Sequence, residues 1–300
     1  MPGGLSLSDL SEVRAKFLAG QELGQLDQIR RDFRDRDNCL RRFADYDEVV
    51  LWFEWDLYDQ LQLLQILDFL SRHSDEALRE TGTTLSLICI EGYLGALPVD
   101  RFPSLYSERA PITREMRELA AVAWAAFRCA DPREVQRIVE KGTPALPFLE
   151  GALQRHLEEF PSTRDGLSRS ERQILEAVSQ RSASFSEVFR NTSAREERVY
   201  CGDAIVAGYI ERMSRHAFPL LAHPTGESID APHTESDSRA FRNSAIALTA
   251  TGREVLRGDK DWIRLGGSDR WLGGVHLEGE KAHWRWDADE RCIVERGASE

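Results

Sequence analysis

The first half of the chain carries helical patterns around two short segments that are typical of buried strands. Residues 8–44 place apolar side chains at intervals of three, four and seven, which predicts two helices. Residues 49–53 are all apolar and mostly β-branched or aromatic, as in a strand that is buried on both faces. A second predicted strand, 83–90, follows about thirty residues later, after a leucine-rich helical segment. This is the spacing of a β-α-β unit, so we expect an α/β domain in residues 1–109.

After the second strand the pattern becomes helical before it returns to mixed structure. Thr113 is placed to cap one helix and Gly142 to end the next, so residues 110–160 are predicted to form a helical bridge. The final region, 261–300, is rich in tryptophan. It predicts one or two β hairpins, with a turn at 287–290.

Residues 161–260 have the element order of a winged helix-turn-helix. Two capping boxes, Ser168 with Glu171 and Ser184 with Glu187, begin its first two helices. A third helix, two strands that flank a polar loop and a closing helix follow. The predicted architecture is therefore an α/β N-terminal half, with a short parallel sheet and helices, and an α+β winged-helix-like C-terminal half.

Composition and charge exclude several classes of protein. The 300 residues are 41% hydrophobic and 30% charged, as in ordinary globular proteins of about two domains. The net charge of −12 argues against bulk electrostatic binding to nucleic acid or to anionic membranes. No stretch without Asp, Glu, Lys or Arg exceeds eleven residues, whereas a membrane helix needs about 20 apolar residues. We therefore expect no membrane partner.

The start of the chain and its cysteines bear on the cellular compartment. The first residues lack the basic and apolar regions of a secretory signal. The five cysteines are widely spaced and form no C-x-x-C pair, so neither a disulfide framework nor a zinc knuckle is expected. A cytoplasmic protein with reduced thiols is the prediction.

Several strings resemble a bacterial family. They are VVLWFEWDLYDQLQLLQILDFL, WAAFRCADP, ALPFLEGALQRHLEEFPSTRDGLSRSERQILEAV, LTATGREVL and DRWLGGVHL. Over most of residues 5–287 the chain resembles the family called domain of unknown function 1835, for which no activity is established. Members of that family usually begin with an additional strand and a glycine- and acid-containing loop. The resemblance implies that this chain lacks them. One possibility is then a structural subunit whose exposed sheet edge is covered by a partner or a second copy.

The ends of the two predicted strands carry a cluster of acidic residues. Glu54, Asp56 and Asp59 follow the first strand, and Glu91 follows the second. Ligands of parallel α/β sheets bind beyond the carboxyl ends of the strands, and carboxylates there can hold Mg²⁺. The alternative is a local role, because Asp56 is placed as the N-cap of the next helix and Asp59 lies in its first turn. That alternative requires no cofactor.

Arginines flank the predicted third helix of the winged-helix-like region and are candidate contacts to nucleic-acid phosphates. They are Arg190, Arg195 and Arg198 before the helix, with Arg212 and Arg215 at its end. However, residues 168–257 hold twelve arginines and twelve acidic residues. This balance gives the region no net positive charge, which disfavours strong binding to nucleic acid.

Two functions from different classes follow from these observations. The first is a non-catalytic regulatory or binding protein, whose winged-helix-like module contacts nucleic acid or a protein partner. The alternative is a metal-dependent enzyme that acts on a phosphorylated or nucleotide substrate at the acidic strand ends.

Overall fold

The chain forms a mixed α/β structure of two compact units. The computed structural model describes four ranges of the chain, namely 1–21, 23–232, 235–280 and 282–296. The first unit comprises Met1–Gln154 with Gly273–Val275. The second comprises Arg155–Leu272 and the described residues from His276 onward. None of the helices in the described ranges has the length and apolar character that a bilayer crossing requires.

The first unit combines a small sheet with several helices. Its strands are β1 (Glu48–Phe53), β2 (Thr84–Cys89) and β3 (Ala110–Pro111). Its helices are α1 (Leu7–Gly20), α2 (Leu26–Arg41), α3 (Leu57–Ser71), α4 (Asp75–Glu80), α5 (Phe102–Ser107), α6 (Arg114–Phe127) and α7 (Arg133–Lys141). Helix α8 (Leu149–Leu157) begins in this unit, and its last three residues belong to the second unit.

The sheet of the first unit is built on the predicted β-α-β unit. Strands β1 and β2 are parallel, from the pair Glu48 and Thr84 to the pair Phe53 and Cys89, which confirms that prediction. The sheet is mixed, because β3 joins β2 in the antiparallel direction. The prediction that both strands are buried on both faces is wrong for β1, whose residues are all half-buried. The reason is its position at the edge of the sheet order β1-β2-β3.

Helix α3 provides much of the core of the first unit. Its leucines Leu63, Leu64 and Leu67 are almost completely buried, and the helix packs against α6, where Ala123 and Trp124 are buried as well. Burying one leucine side chain contributes about 1.5–3 kcal/mol to the free energy of folding. These contacts fix the helix that follows the acidic end of β1.

The second unit contains short strands and helices of moderate length. Its helices are α9 (Arg169–Ala177), α10 (Phe185–Ser193), α11 (Asp203–Arg215), α12 (Glu235–Phe241), α13 (Ala250–Arg257) and α14 (Trp262–Gly266). Its strands, counted along the chain, are β4 (Ala183–Ser184), β5 (Leu221–Ala222), β6 (Ala245–Leu248), β7 (Ser268–Leu272), β8 (Val275–Gly279), β9 (Trp284–Asp287) and β10 (Cys292–Glu295). Strands β7 and β8 pair with each other, as do β9 and β10, which confirms the predicted hairpins.

Helices α9, α10 and α11 surround a common apolar core with a three-stranded sheet. The sheet order is β4-β6-β5, and both of its strand pairs are antiparallel. Core side chains that are almost completely buried come from all these elements: Ile174, Val188, Ile210, Leu221 and Ile246. Both capping boxes predicted from the sequence are present at the starts of α9 and α10.

Three elements of this unit were not predicted, namely β4, α12 and the short helix α14. Strand β4 is only two residues long, too short for a periodic signal. Helix α12 lies within the segment expected to be a polar loop, of which residues 233 and 234 lie outside the described ranges. Its apolar anchor is Phe241, which is buried and whose ring centroid lies 4.7 Å from that of Phe185.

The turn before α9 requires a glycine and connects to the C-terminal hairpin. Gly166 has a φ of +74°, and a Cβ atom there would lie 2.5 Å from Asp261 Oδ1. In the same turn, Thr163 N–H donates to the carbonyl oxygen of Trp286 at 2.9 Å, and Trp286 N–H donates to that of Pro161 at 2.9 Å. The turn therefore fixes strand β9 as well as the start of α9.

Candidate functional site

The acidic residues at the end of β1 lie close together and accept backbone hydrogen bonds. Asp56 is the N-cap of α3, and its Oδ1 accepts from Asp59 N–H at 3.0 Å. Asp59 Oδ2 accepts from Glu54 N–H at 2.7 Å, and Glu54 Oε1 accepts from Leu94 N–H at 2.7 Å. The local role that the sequence offered as the alternative for Asp56 is therefore confirmed.

The protonation of these carboxyls bears on whether they could hold a cation. Burial raises the pKa of Glu54 and of Asp59, and the neighbouring charge of Asp56 raises both pKa values further, while backbone N–H groups lower them in part. Carboxylate ligands must be ionised to bind a metal. Glu91 is exposed, and the described ranges contain no group of three or more His, Cys, Asp or Glu side chains that could hold a metal ion. The metal-dependent enzyme therefore stays a sequence-based prediction.

Three of the five candidate phosphate-binding arginines already pair with carboxylates of the second unit. The pairs are Arg195 with Glu176 at 2.6 Å, Arg212 with Glu171 at 2.8 Å, and Arg215 with Asp230 at 2.8 Å. Arg198 is half-buried. Arg190 is exposed, and its side chain has no partner among the residues that the structure describes. Of these pairs, only that of Arg212 involves a buried carboxylate, whereas the other two lie at the surface, where an ion pair contributes about 0–1 kcal/mol.

The main concentration of buried charge centres on Glu159, which the sequence analysis did not single out. Its side chain is 0% exposed. Glu159 Oε1 accepts hydrogen bonds from Arg155 Nη1 at 2.8 Å and from Ser170 Oγ at 2.6 Å. Its other oxygen, Oε2, accepts from the hydroxyl of Tyr209 at 2.6 Å. The four side chains come from the end of α8, the segment after it, α9 and α11.

Arg155 extends this network towards the loop before α11. Its guanidinium donates two hydrogen bonds to Glu196, at 3.0 Å from Nε and 2.8 Å from Nη2. It also lies over the ring of Tyr200, 3.8 Å from the centroid, which is a cation–π geometry. Arg155 therefore compensates two buried carboxylates while its planar face packs on an aromatic ring.

Arg270 of β7 lies between Glu159 and Glu171. Its Nη1 atom is 3.7 Å from Glu159 Oε2 and 4.0 Å from Glu171 Oε1, and its Nη2 donates to the backbone carbonyl of Glu159. Glu171 also forms an ion pair with Arg212, whose guanidinium lies over the ring of Tyr209. The two carboxylates thus share three arginines within one buried network.

The ionisation of Glu159 follows from these partners. Burial raises the pKa of a carboxyl, but here Arg155 and Arg270, with hydrogen bonds from Ser170 and Tyr209, outweigh burial and lower the pKa of Glu159 to about 2. Glu159 is therefore ionised at neutral pH. With both oxygens bonded and no exposure to solvent, it has the environment of a structural group rather than of a general base.

Two of the cysteines are poor nucleophiles. Burial raises the pKa of Cys89 to about 11 and that of Cys201 to about 12. The reactive form of cysteine is the thiolate, which these two residues hardly populate at neutral pH. Neither of them supports covalent catalysis.

Comparisons of the chain with protein-family models, with curated proteins and with solved structures found no match. The resemblance to the family of unknown function therefore stays a prediction. The function has to be argued from the side chains themselves.

Replacing Glu159 by glutamine should strongly destabilise the protein. Glu159→Gln leaves Arg155 and Arg270 buried with one carboxylate fewer, and breaking a buried ion pair costs about 3–5 kcal/mol. The matched control is Glu158→Gln, because Glu158 pairs with the half-exposed Arg169 and such pairs contribute about 0–1 kcal/mol. Urea unfolding at pH 7 measures both. A loss below about 1 kcal/mol for Glu159→Gln would show that the network is not structural.

The same carboxylate predicts an acid-dependent loss of stability. The pKa of Glu159 is about 2 in the folded state and near its ordinary value of 4.5 in the unfolded chain. A lowered folded-state pKa stabilises the protein above pH 4.5, and this stabilisation is lost as the pH falls towards 2. The difference in unfolding free energy between wild type and Glu159→Gln should therefore shrink over this interval. A difference that stays constant down to pH 3 would contradict the assignment.

Proposed function

We propose that this protein is a non-catalytic binding protein, and that its second unit is a winged-helix module that contacts a second copy of the chain. One observation carries the proposal. The arginines at the end of α11 pair with carboxylates of the same unit, while Ala204 and Ile205 near the start of this helix are exposed.

The order and pairing of elements support a winged-helix module by analogy of fold. Helices α9, α10 and α11 are followed by β5 and β6, and the short strand β4 between α9 and α10 completes the sheet. In helix-turn-helix proteins, the helix equivalent to α11 is the element that meets the ligand. We therefore assign the contact surface of the module to α11.

The charges around α11 disfavour nucleic acid as its ligand. A phosphate-binding helix needs cations that are free to exchange their counterions for phosphate. Arg212 instead pairs with the buried Glu171, and Arg215 pairs with Asp230. Moving Arg212 to a phosphate would leave the buried carboxylate of Glu171 less compensated, which costs free energy.

The exposed face of α11 is suited to pairing with a copy of itself. Ile205 is 53% exposed, and an added Cβ at Gly208 would have no atom within 4 Å, so another helix can approach closely there. A contact in which two copies of α11 cross near Gly208 is two-fold symmetric, which is the commonest form of homo-oligomer.

Self-association provides the test. We expect the intact chain to form a dimer at micromolar concentration in sedimentation equilibrium. Ile205→Arg should weaken the dimer at least about tenfold, because it places a charge in the apolar contact. The matched control is Val122→Arg, since Val122 is 58% exposed on helix α6 of the first unit and should leave the dimer unchanged.

Two results would overturn the proposal. A chain that stays monomeric at all concentrations, or a dimer that Ile205→Arg leaves intact, excludes the α11 contact. Tight and salt-dependent binding to random-sequence duplex DNA, reduced by Arg190→Gln, would instead establish the nucleic-acid function. We expect no such binding in fluorescence anisotropy at low salt.

A further inference from the structure

The first unit contains a cleft between α1 and α2 that the proposed function does not use. Its volume is about 520 Å³, within the range of small-molecule sites. Arg30, Arg34 and Arg41 of α2 line it, at intervals of four and seven residues that place them on one face of the helix. The cleft therefore brings three guanidinium groups to one side of a space large enough for a metabolite.

Two of the carboxylates at the cleft are already compensated. Both oxygens of Glu12 accept from Arg30, with Nε at 2.9 Å from Oε2. Asp37 is 2% exposed, and its oxygens accept from Arg36 Nη2 at 2.7 Å and from Ser11 Oγ at 2.7 Å. Glu12 and Asp37 are therefore committed to groups other than Arg34 and Arg41.

Arg34 and Arg41, the other two arginines that line the cleft, have no carboxylate partner among the described residues. The side chain of Arg34 is exposed and has no partner in the part of the chain that the structure describes. Arg41 donates to Ser8 Oγ at 2.6 Å and to Asn38 Oδ1 at 3.2 Å, both of which are neutral acceptors. The remaining acidic side chain at the cleft, Asp27, is 82% exposed and lies 3.5 Å from Arg30.

We propose that this cleft binds a small phosphorylated molecule, with the phosphate held by Arg34 and Arg41. Guanidinium groups match phosphate oxygens in a bidentate geometry, and two of them balance the two charges of a phosphate monoester. The hydroxyl of Ser8, which accepts a hydrogen bond from Arg41, provides a neutral donor beside this guanidinium. The proposal does not rest on the contact assigned to α11, and either can fail without the other.

Pyrophosphate is a suitable probe, measured by isothermal titration calorimetry on the intact chain at low salt. We expect saturable binding of one pyrophosphate per chain. Arg34→Gln and Arg41→Gln should each weaken it about tenfold, which is the usual effect of losing a charge-assisted hydrogen bond. Asp27→Asn should strengthen it several-fold, because it removes a repelling charge from an exposed position.

Arg31→Gln is the matched control. Arg31 lies on the same helix and donates to the neutral Gln28 Oε1 at 2.7 Å, but it does not line the cleft. Its replacement should leave the affinity for pyrophosphate unchanged. The absence of saturable binding would overturn the proposal. An equal loss of affinity in Arg31→Gln would also overturn it, since the attraction would then be diffuse rather than located in the cleft.

Discussion

The second unit depends on the burial of one ionised carboxylate. A carboxylate without partners in a protein interior costs several kcal/mol, so the chain has to bring compensating groups to Glu159. It does so with Arg155, Ser170 and Tyr209, which approach within 2.6 to 2.8 Å. Because these three residues lie on α8, α9 and α11, the requirement of a single side chain fixes the relative positions of three helices.

The same requirement determines what the arginines of this unit are available to do. Arg212 and Arg270 both form ion pairs with Glu171, and Arg155 forms ion pairs with Glu159 and Glu196. The unit therefore combines the element order of a nucleic-acid-binding module with charges that are largely used internally. A helix that exposes Ile205 and leaves open space beside the half-buried Gly208, with its arginines paired internally, is better suited to another protein surface than to phosphates.

Features set by neighbouring residues could be predicted from the sequence, whereas features set by distant partners could not. The capping boxes at Ser168 and Ser184 depend on positions only three residues apart, and both were found. Helix α12 was missed because Phe241 is held by Phe185, which is remote in sequence. The spacing of Arg155 and Glu159 hints at an ion pair within a helix, but no local pattern relates Glu159 to Arg270, 111 residues further on. The acidic strand end was located correctly, and of its two interpretations the structure bears out the helix cap for Asp56.

The central claim is that the arginines of the second unit stabilise its own carboxylates, and a double-mutant cycle on Glu171→Gln and Arg212→Gln tests it most directly. The cycle cancels the capping role of Glu171 and isolates its interaction with Arg212, which spans 2.8 Å. Unfolding free energies of the four proteins at pH 7 should give a coupling of at least about 1 kcal/mol. A coupling within about 0.3 kcal/mol of zero would contradict the account and leave Arg212 available for an external ligand.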